Sequence, residues 1–528
     1  MALWLRDIKL SLDQQEEQLS GLVARELCIA RDELEAFKII RRSLDARNKR
    51  RIHRVYTVEF SVADEAGLLT LHAENRRLET APQSEEVALP RLTQPHHAVV
   101  VGMGPAGLFA AKRLAELGAK VSLIERGRPL EQRVRDVETF WQSGDLNPQS
   151  HVQFGEGGAG TFSDGKLTTR LRHPLRQTVL QTLVEFGAPK EILLEANPHI
   201  GTDRLRQVLL AFRQHLLALG VEISFETQLT DLEIHQGRVV GAVVNDRDTI
   251  PCDSLLLAPG HSARDTYAML ERHGVNLEAK SFAIGVRVEH PAALINQIQY
   301  GAQADKLPAA DYVLRYNEPE SKRGVYSFCM CPGGEVVNAA SEPGGLVVNG
   351  MSGSKRASAY SNSALVVAVR PQDWGGSCMG GIEFQRRWEQ QAFRLGGGAY
   401  RAPAQNLMTF LNGQPGAIRS SCRPGIVEAD LRQALPDFVT SGLHQALPHF
   451  DRKMRGFVTN EAVLVGVETR TSAPVRISRN EEGESLSHVG LFPLGEGAGY
   501  AGGIMSAALD GFKGAESVYN KIVNRSIT

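Results

Sequence analysis

Gly102-Met-Gly104-Pro105-Ala106-Gly107 is the segment whose spacing most directly implies chemistry. The first glycine permits a tight turn, the second lets backbone approach a pyrophosphate, and the third lets the following helix pack closely on the preceding strand. That helix N-terminus then offers unpaired N–H groups and positive potential to the anion. Glu125 ends the next strand and is placed to accept from ribose hydroxyls, with Arg126 beside it in the same expected nucleotide site. Cys329-Met-Cys331, running into Pro332-Gly-Gly, is a second pattern. On a strand, residues i and i+2 share a face, so the pair is suited to a dithiol, a thiolate nucleophile or half of a metal site. A metal wants two more ligands, and no second close Cys/His pair has finger spacing, so no metal is expected. Buried, chemically inert thiols are the expectation. Glu468 and Arg470 alternate onto one face, where they either orient a substrate carboxylate or form a structural ion pair. His261 and His290 are general-acid candidates against the commoner role of a satisfied structural histidine.

These groups need elements to hold them. His97-Ala-Val-Val-Val-Gly reads as a buried strand entering the glycine turn, Gly107 to Gly118 has helical spacing, and Val121 to Ile124 is the next strand. Gly155-Glu-Gly157-Gly158-Ala-Gly160 fits the same glycine pattern but lacks a buried strand before it and a helical pattern after it. It is expected to be a flexible loop with Gly158 and Gly160 close to a flat ligand. Thr202 to Gly220 reads as a long amphipathic helix, followed by strands at Val221 to Glu226, Leu229 to His235 and Arg238 to Asn245, then the apolar run Leu255-Leu-Leu-Ala-Pro-Gly260. Beyond Ser281 the pattern is mixed and glycine-rich, with strands at Ala283 to Glu289 and Gly345 to Asn349 and a helix at Glu383 to Arg394. Ahead of all this, residues 1–92 read as a small α/β unit: strands at Leu3 to Leu10, Phe37 to Ser43 and Arg54 to Ser61, a helix at Gln14 to Cys28, and a proline-containing linker from Glu79 to His97.

The 528 residues are too many for one compact core. The division expected is 1–92, a first nucleotide-binding part at 96–280, an inserted α+β substrate domain at 281–455, and a return to the first fold at 456–528. Charges nearly cancel, 59 basic against 60 acidic residues, so no global field draws the chain to nucleic acid or an acidic membrane. No run approaches about 18 uncharged apolar residues, so no membrane span is expected, and the charged start reads as cytoplasmic. Six cysteines are too sparse for a disulfide framework. Arg41, Arg42, Arg47, Lys49, Arg50, Arg51 and Arg54 make a basic run. A solvated turn is one account; RNA or an acidic electron-transfer partner is the other, without an aromatic platform to support it.

The C-terminal segment Gly490-Leu-Phe-Pro-Leu-Gly495-Glu496-Gly-Ala-Gly-Tyr-Ala-Gly502-Gly503-Ile504 resembles the second flavin motif of glutathione-reductase-type FAD folds. The resemblance implies that Glu496 bonds the ribityl or pyrophosphate region and that Gly502, Gly503 and Ile504 face the flavin pyrimidine edge. Leu255 to Gly260 is similar to that fold's strand ending in Ala-Thr-Gly, with Pro259 in place of threonine. Gln153 to Arg170, Phe328-Cys-Met-Cys-Pro-Gly-Gly and Glu468-Thr-Arg-Thr-Ser-Ala-Pro-Val-Arg-Ile resemble a bacterial group of FAD-dependent dehydrogenases across essentially the whole chain. This resemblance implies a Rossmann-like FAD domain with an inserted α+β domain and a small N-terminal α/β domain. FAD is the cofactor, NAD(P)H a transient electron donor over the flavin, and a small molecule the substrate; nucleic acid is not expected. Lys166, after Ser163 and Asp164, is then placed to steady negative charge on the flavin or a substrate anion, or else pairs with Asp164 on a surface turn. The expected activity is hydride transfer between flavin and an organic substrate. The alternatives are a flavin-dependent RNA-modifying protein using the basic unit as its arm, and a flavin-bound regulatory protein without turnover.

Overall fold

The computed structural model describes residues 2–82, 89–169, 171 and 173–527. Apolar runs without alternation suit a strand buried on both faces. Four such strands and the polar edge strand Glu222–Ser224 form one parallel sheet, ordered Leu491–Pro493, Ser254–Leu257, His97–Val101, Lys120–Ile124, Glu222–Ser224. Residues near 491 thus complete a sheet begun near 97. The helices Pro105–Glu116, Leu175–Glu185, Thr202–Ala218 and Ile504–Ile527 cover one face around Phe109, Leu114, Phe212 and Phe512. An antiparallel meander, Leu229–His235, Arg238–Val244 and Asp248–Pro251, covers the other together with the helix Arg264–Arg272. This mixed α/β architecture with a parallel sheet is the Rossmann-like arrangement expected from the glycine turn.

The second sheet has seven strands, ordered Arg315–Asn317, Gly324–Cys331, Tyr360–Val369, Phe282–Pro291, Val463–Glu468, Ala402–Asn406, Ile426–Glu428. All neighbouring pairs are antiparallel except the last. Val463–Glu468 lies inside this sheet, hydrogen-bonded on both sides, and not in a returning first domain that starts at 456. Its six residues are all buried between the flanking strands Phe282–Pro291 and Ala402–Asn406. The strand expected at Gly345 to Asn349 is Val348–Met351, one arm of a hairpin with Glu335–Asn338.

The N-terminal unit is a four-stranded antiparallel sheet, Glu35–Asp45, His53–Ser61, Leu3–Ser11, Leu78–Thr80, with Leu19–Leu27 packed on Leu3, Leu5, Tyr56 and Phe60. The linker expected from Glu79 therefore begins inside a strand, since Leu78–Thr80 pairs with Leu3–Leu5; residues 83–88 of it lie outside the described residues. Three of the seven residues of the basic run are engaged. Arg42 bonds Glu195 and Glu16, and its backbone pairs with Leu194 and Ala196, which ties this unit to the nucleotide-binding part. Arg47 bonds Asp45, and Arg54 donates to the Leu12 carbonyl.

Candidate functional site

The two large sheets meet at a cleft of about 520 Å³, within the usual size range of cofactor sites. Its first wall is the glycine turn. Gly102 has φ +96, and a Cβ there would sit 2.2 Å from the Ala258 carbonyl oxygen; one on Gly107 would sit 1.8 Å from the Gly102 oxygen. Gly104 caps the helix Pro105–Glu116, with Pro105 at its first position. A Cβ on Gly104 would meet only Gly158, at 3.8 Å, so its surroundings are open. Gly102, Gly104, Pro105 and Ala106 line the cleft, whereas Gly107 is buried in the strand–helix contact and does not.

Glu125 lines the cleft but is not a free acceptor. One carboxylate oxygen takes the N–H groups of Gly127 and Gly155, the other that of Met103, each at 2.9 Å. The carboxylate thereby joins the glycine turn to the loop after it. Arg126 lies over the Phe154 ring and pairs with Asp265 at 2.9 Å.

The 155–160 loop, expected to be flexible, is held by an extensive hydrogen-bond network. Arg133, fully buried, donates to the carbonyls of His151, Val152, Gly155, Glu156 and Gly158 and to the Thr161 hydroxyl. Gly158–Phe162 forms a short 3-10 helix, and Gly158 and Gly160 face the cleft. Six hydrogen bonds from one guanidinium hold this backbone in a fixed shape.

The far end is built by the C-terminal segment. Gly495, Glu496, Gly502, Gly503 and Ile504 line the cleft, and Ile504 opens the last helix. A Cβ on Gly260, Gly502 or Gly503 would meet nothing within 4 Å, so all three leave an open cradle. The Glu496 carboxyl has no hydrogen-bond partner among the described residues, and burial raises it to about 7 against the pull of Lys280. An exposed helix N-terminus, glycine-lined space and an unpartnered acid suit a flat, hydroxyl-bearing, anionic cofactor, so the residues fit FAD.

The remaining wall belongs to the second sheet. Lys166 donates to the Met330 carbonyl and lies 3.9 Å from Asp164. That aspartate is not on a surface turn: it is buried, bonded by Ser352 and held by Arg356. Glu468 and Arg470 both line the cleft but do not pair with each other. Glu468 takes Arg287 at 2.9 Å, and burial pushes its carboxyl up to about 7 despite that partner. Arg470 shares Glu389 with Arg264, at 2.9 and 2.8 Å, and donates to Ser262 and Ser341. The two arginines hold the Glu389 carboxyl well below its ordinary range although burial opposes them. Cys329 lines the cleft while Cys331 lies behind it, fully buried, so they do not share one face. The register against Tyr360–Val369 slips between Phe328 and Cys331, and Cys329 has φ +43. His261 lines the cleft but is held neutral by burial, down to about 3; His290 lies outside, bonded to the Phe457 carbonyl.

Arg133, Arg287, Arg356 and the Arg264–Glu389 pair were missed in the sequence. Arg287 had a signal: a lone arginine in Phe-Ala-Ile-Gly-Val-Arg-Val requires a buried partner. The others stand in ordinary amphipathic or polar stretches.

A family described as FAD-dependent protein, C-terminal domain-like matches residues 281–471, and a domain of unknown function matches 5–61. An uncharacterized protein of Clostridium beijerinckii is 46% identical over 529 residues, covering 99% of both chains. A thiamine thiazole synthase of Aeropyrum pernix is 30% identical over 149 residues, 28% of this chain and 43% of its own. Among solved structures, glycine oxidase from Bacillus cereus aligns over 81% of this chain and 95% of its own, with 10% identity and a TM-score of 0.36. Glycerol-3-phosphate dehydrogenase from Bacillus halodurans complexed with FAD aligns over 83% and 66%, with 12% identity and a TM-score of 0.34.

Proposed function

The chain belongs to the same family as the full-length Clostridium beijerinckii relative, and from that premise we propose that it is an FAD-dependent oxidoreductase acting on a small organic substrate. One observation carries the reading: the glycine turn near residue 104, Glu496 and the helix N-terminus at Ile504, nearly four hundred positions apart, line a single cleft that the second sheet closes.

FAD, when bound, supplies a ring that accepts or returns two electrons as hydride. The chain's own residues would hold it. Gly104 and the first turn of Pro105–Glu116 would present N–H donors to the pyrophosphate, beside Glu125 and Arg126. Gly502, Gly503 and Ile504 would offer the ring the last helix's N–H groups and positive dipole, which favour the negative charge that reduction brings. The substrate lies against the second sheet, among Lys166, Arg356, Cys329 and Glu468. There Lys166 and Arg356 attract an anionic group, and Glu468, raised to about 7, holds or gives up a proton near neutral pH.

The test is the visible absorption spectrum of the purified protein, taken anaerobically before and after adding NADH or NADPH. Flavin bands are expected, and bleaching would identify a pyridine nucleotide as donor. Absence of flavin bands after incubation with FAD would overturn the proposal.

A further inference from the structure

The strand Gly324–Cys331 ends in a local distortion that sorts two neighbouring cysteines into different surroundings. Cys329 is half-buried on the cleft wall; Cys331 is fully buried behind it. The Cys331 thiol points back at Cys329 and donates to its carbonyl oxygen at 3.5 Å. Two cations converge on this turn from separate elements. Arg287 donates to the Cys329 carbonyl at 2.7 Å and reaches the Cys331 sulfur at 3.8 Å, while Lys166 donates to the intervening Met330 carbonyl.

An inert buried thiol in apolar surroundings is pushed up, as burial does to Cys252 and Cys422. Cys329 goes the other way. The hydrogen bond from Cys331, with Arg287 and Lys166 adding, overcomes burial and lowers it to about 6, while Cys331 is raised and stays protonated. Cys331 does not line the cleft, so a molecule in the cleft meets Cys329 first. A nucleophile facing the substrate with a second thiol behind it is the arrangement that thiol–disulfide exchange requires.

We propose that Cys329 and Cys331 form a redox-active dithiol and that the substrate is a disulfide-bonded small molecule. The inference rests on the oxidoreductase reading only for its reductant. The Cys329 thiolate attacks one sulfur of the substrate, forming a mixed disulfide and breaking the substrate S–S bond. The departing thiolate takes the Cys331 proton. The Cys331 thiolate then attacks Cys329, making the internal disulfide and releasing the second thiolate, which takes a proton from water. Two electrons from reduced flavin and one proton restore the starting pair. In sum one disulfide, two electrons and two protons give two thiols.

The experiment uses holoprotein equilibrated anaerobically in glutathione redox buffers, with the flavin spectrum recorded on the same sample, followed by acid quench and peptide mass analysis. Expected is a 329–331 disulfide about 2 Da below the dithiol peptide. On the reduced protein near pH 6.5, iodoacetamide should label Cys329 at least about tenfold faster than the exposed Cys28. In Cys331→Ser the mixed disulfide of Cys329 with glutathione should accumulate, because nothing resolves it. Labelling of Cys329 no faster than Cys28, or absence of the internal disulfide at every buffer ratio, overturns the proposal. A yellow sample lacking the disulfide sinks the dithiol alone; a colourless sample that forms it sinks the flavin reading alone.

Discussion

At the scale of single residues, the three fingerprint glycines do different work, and their surroundings separate them. Gly107 has a carbonyl oxygen 1.8 Å from where a Cβ would stand, whereas Gly104 has only Gly158, at 3.8 Å. Gly107→Ala should therefore disturb folding, costing about 1–3 kcal/mol through overpacking. Gly104→Val should fold normally, since its branches enter the cleft and not the core, yet lose FAD by at least about tenfold, the equivalent of 1.4 kcal/mol. Paired measurement of thermal midpoint and flavin content checks both. A yellow, stoichiometrically loaded Gly104→Val protein would remove this turn from the cofactor site. The same residue-by-residue view explains Glu125. Ribose binding is what its position in the sequence suggested, but three backbone N–H groups already converge on its carboxylate, so it also fixes the shape of the turn it belongs to.

Among the elements, periodicity located those whose burial is regular. His97–Val101 and Lys120–Ile124 are buried beyond their first residue and sit in a parallel sheet, and Thr202–Ala218 repeats apolar residues at helical spacing. Val463–Glu468 was equally apolar, but a local pattern does not say which of two sheets a strand joins; that depends on partners nearly two hundred residues away. The 155–160 loop shows the same limit. Its glycines signalled a chain that must pass close to something, and they could not show that Arg133, on the preceding helix, carries the hydrogen bonds that hold it. The cleft's glycines and Glu496 were legible because cofactor chemistry constrains their spacing, whereas Arg356 and Glu389 were not, because a buried charge is specified by its partner and not by its neighbours in the chain. Arg133→Met should remove the guanidinium from five carbonyls, of which those of Gly155 and Glu156 keep a second donor. It should lower stability by about 3 kcal/mol or more and raise amide exchange within 151–162 while the parallel sheet stays protected. Exchange unchanged in that segment would show that the loop holds its shape without the guanidinium.

For the whole molecule, the two sheets are joined by buried charge. Arg264, beside the first sheet, meets Glu389 and Arg470 of the second region, and all three are almost fully buried. This makes stability depend on pH with two opposite signs. Glu389 is held low, so its contribution is present above the ordinary carboxyl value of 4.5 and is lost as pH falls toward its folded value. Glu496 and Glu468 are held high, at about 7. Between 4.5 and about 7 the folded chain keeps protons on them that the unfolded chain has released, so each withdraws stability as pH rises through that window. Buried His261 and His290, held low at about 3 and about 4, act the other way and add stability as pH rises toward their ordinary value of 6.5, so the Glu496 contribution is read by comparing a variant with the wild type. Glu496→Gln cannot ionise, so its denaturation midpoint should gain on the wild type's between about pH 5 and 7, with the two curves running parallel above about pH 8. Midpoints measured by denaturant titration of apoprotein across that range decide it. Identical slopes for variant and wild type would mean that the Glu496 carboxyl is already ionised in the folded chain, and that the cleft meets its cofactor with a negative charge in place rather than a proton.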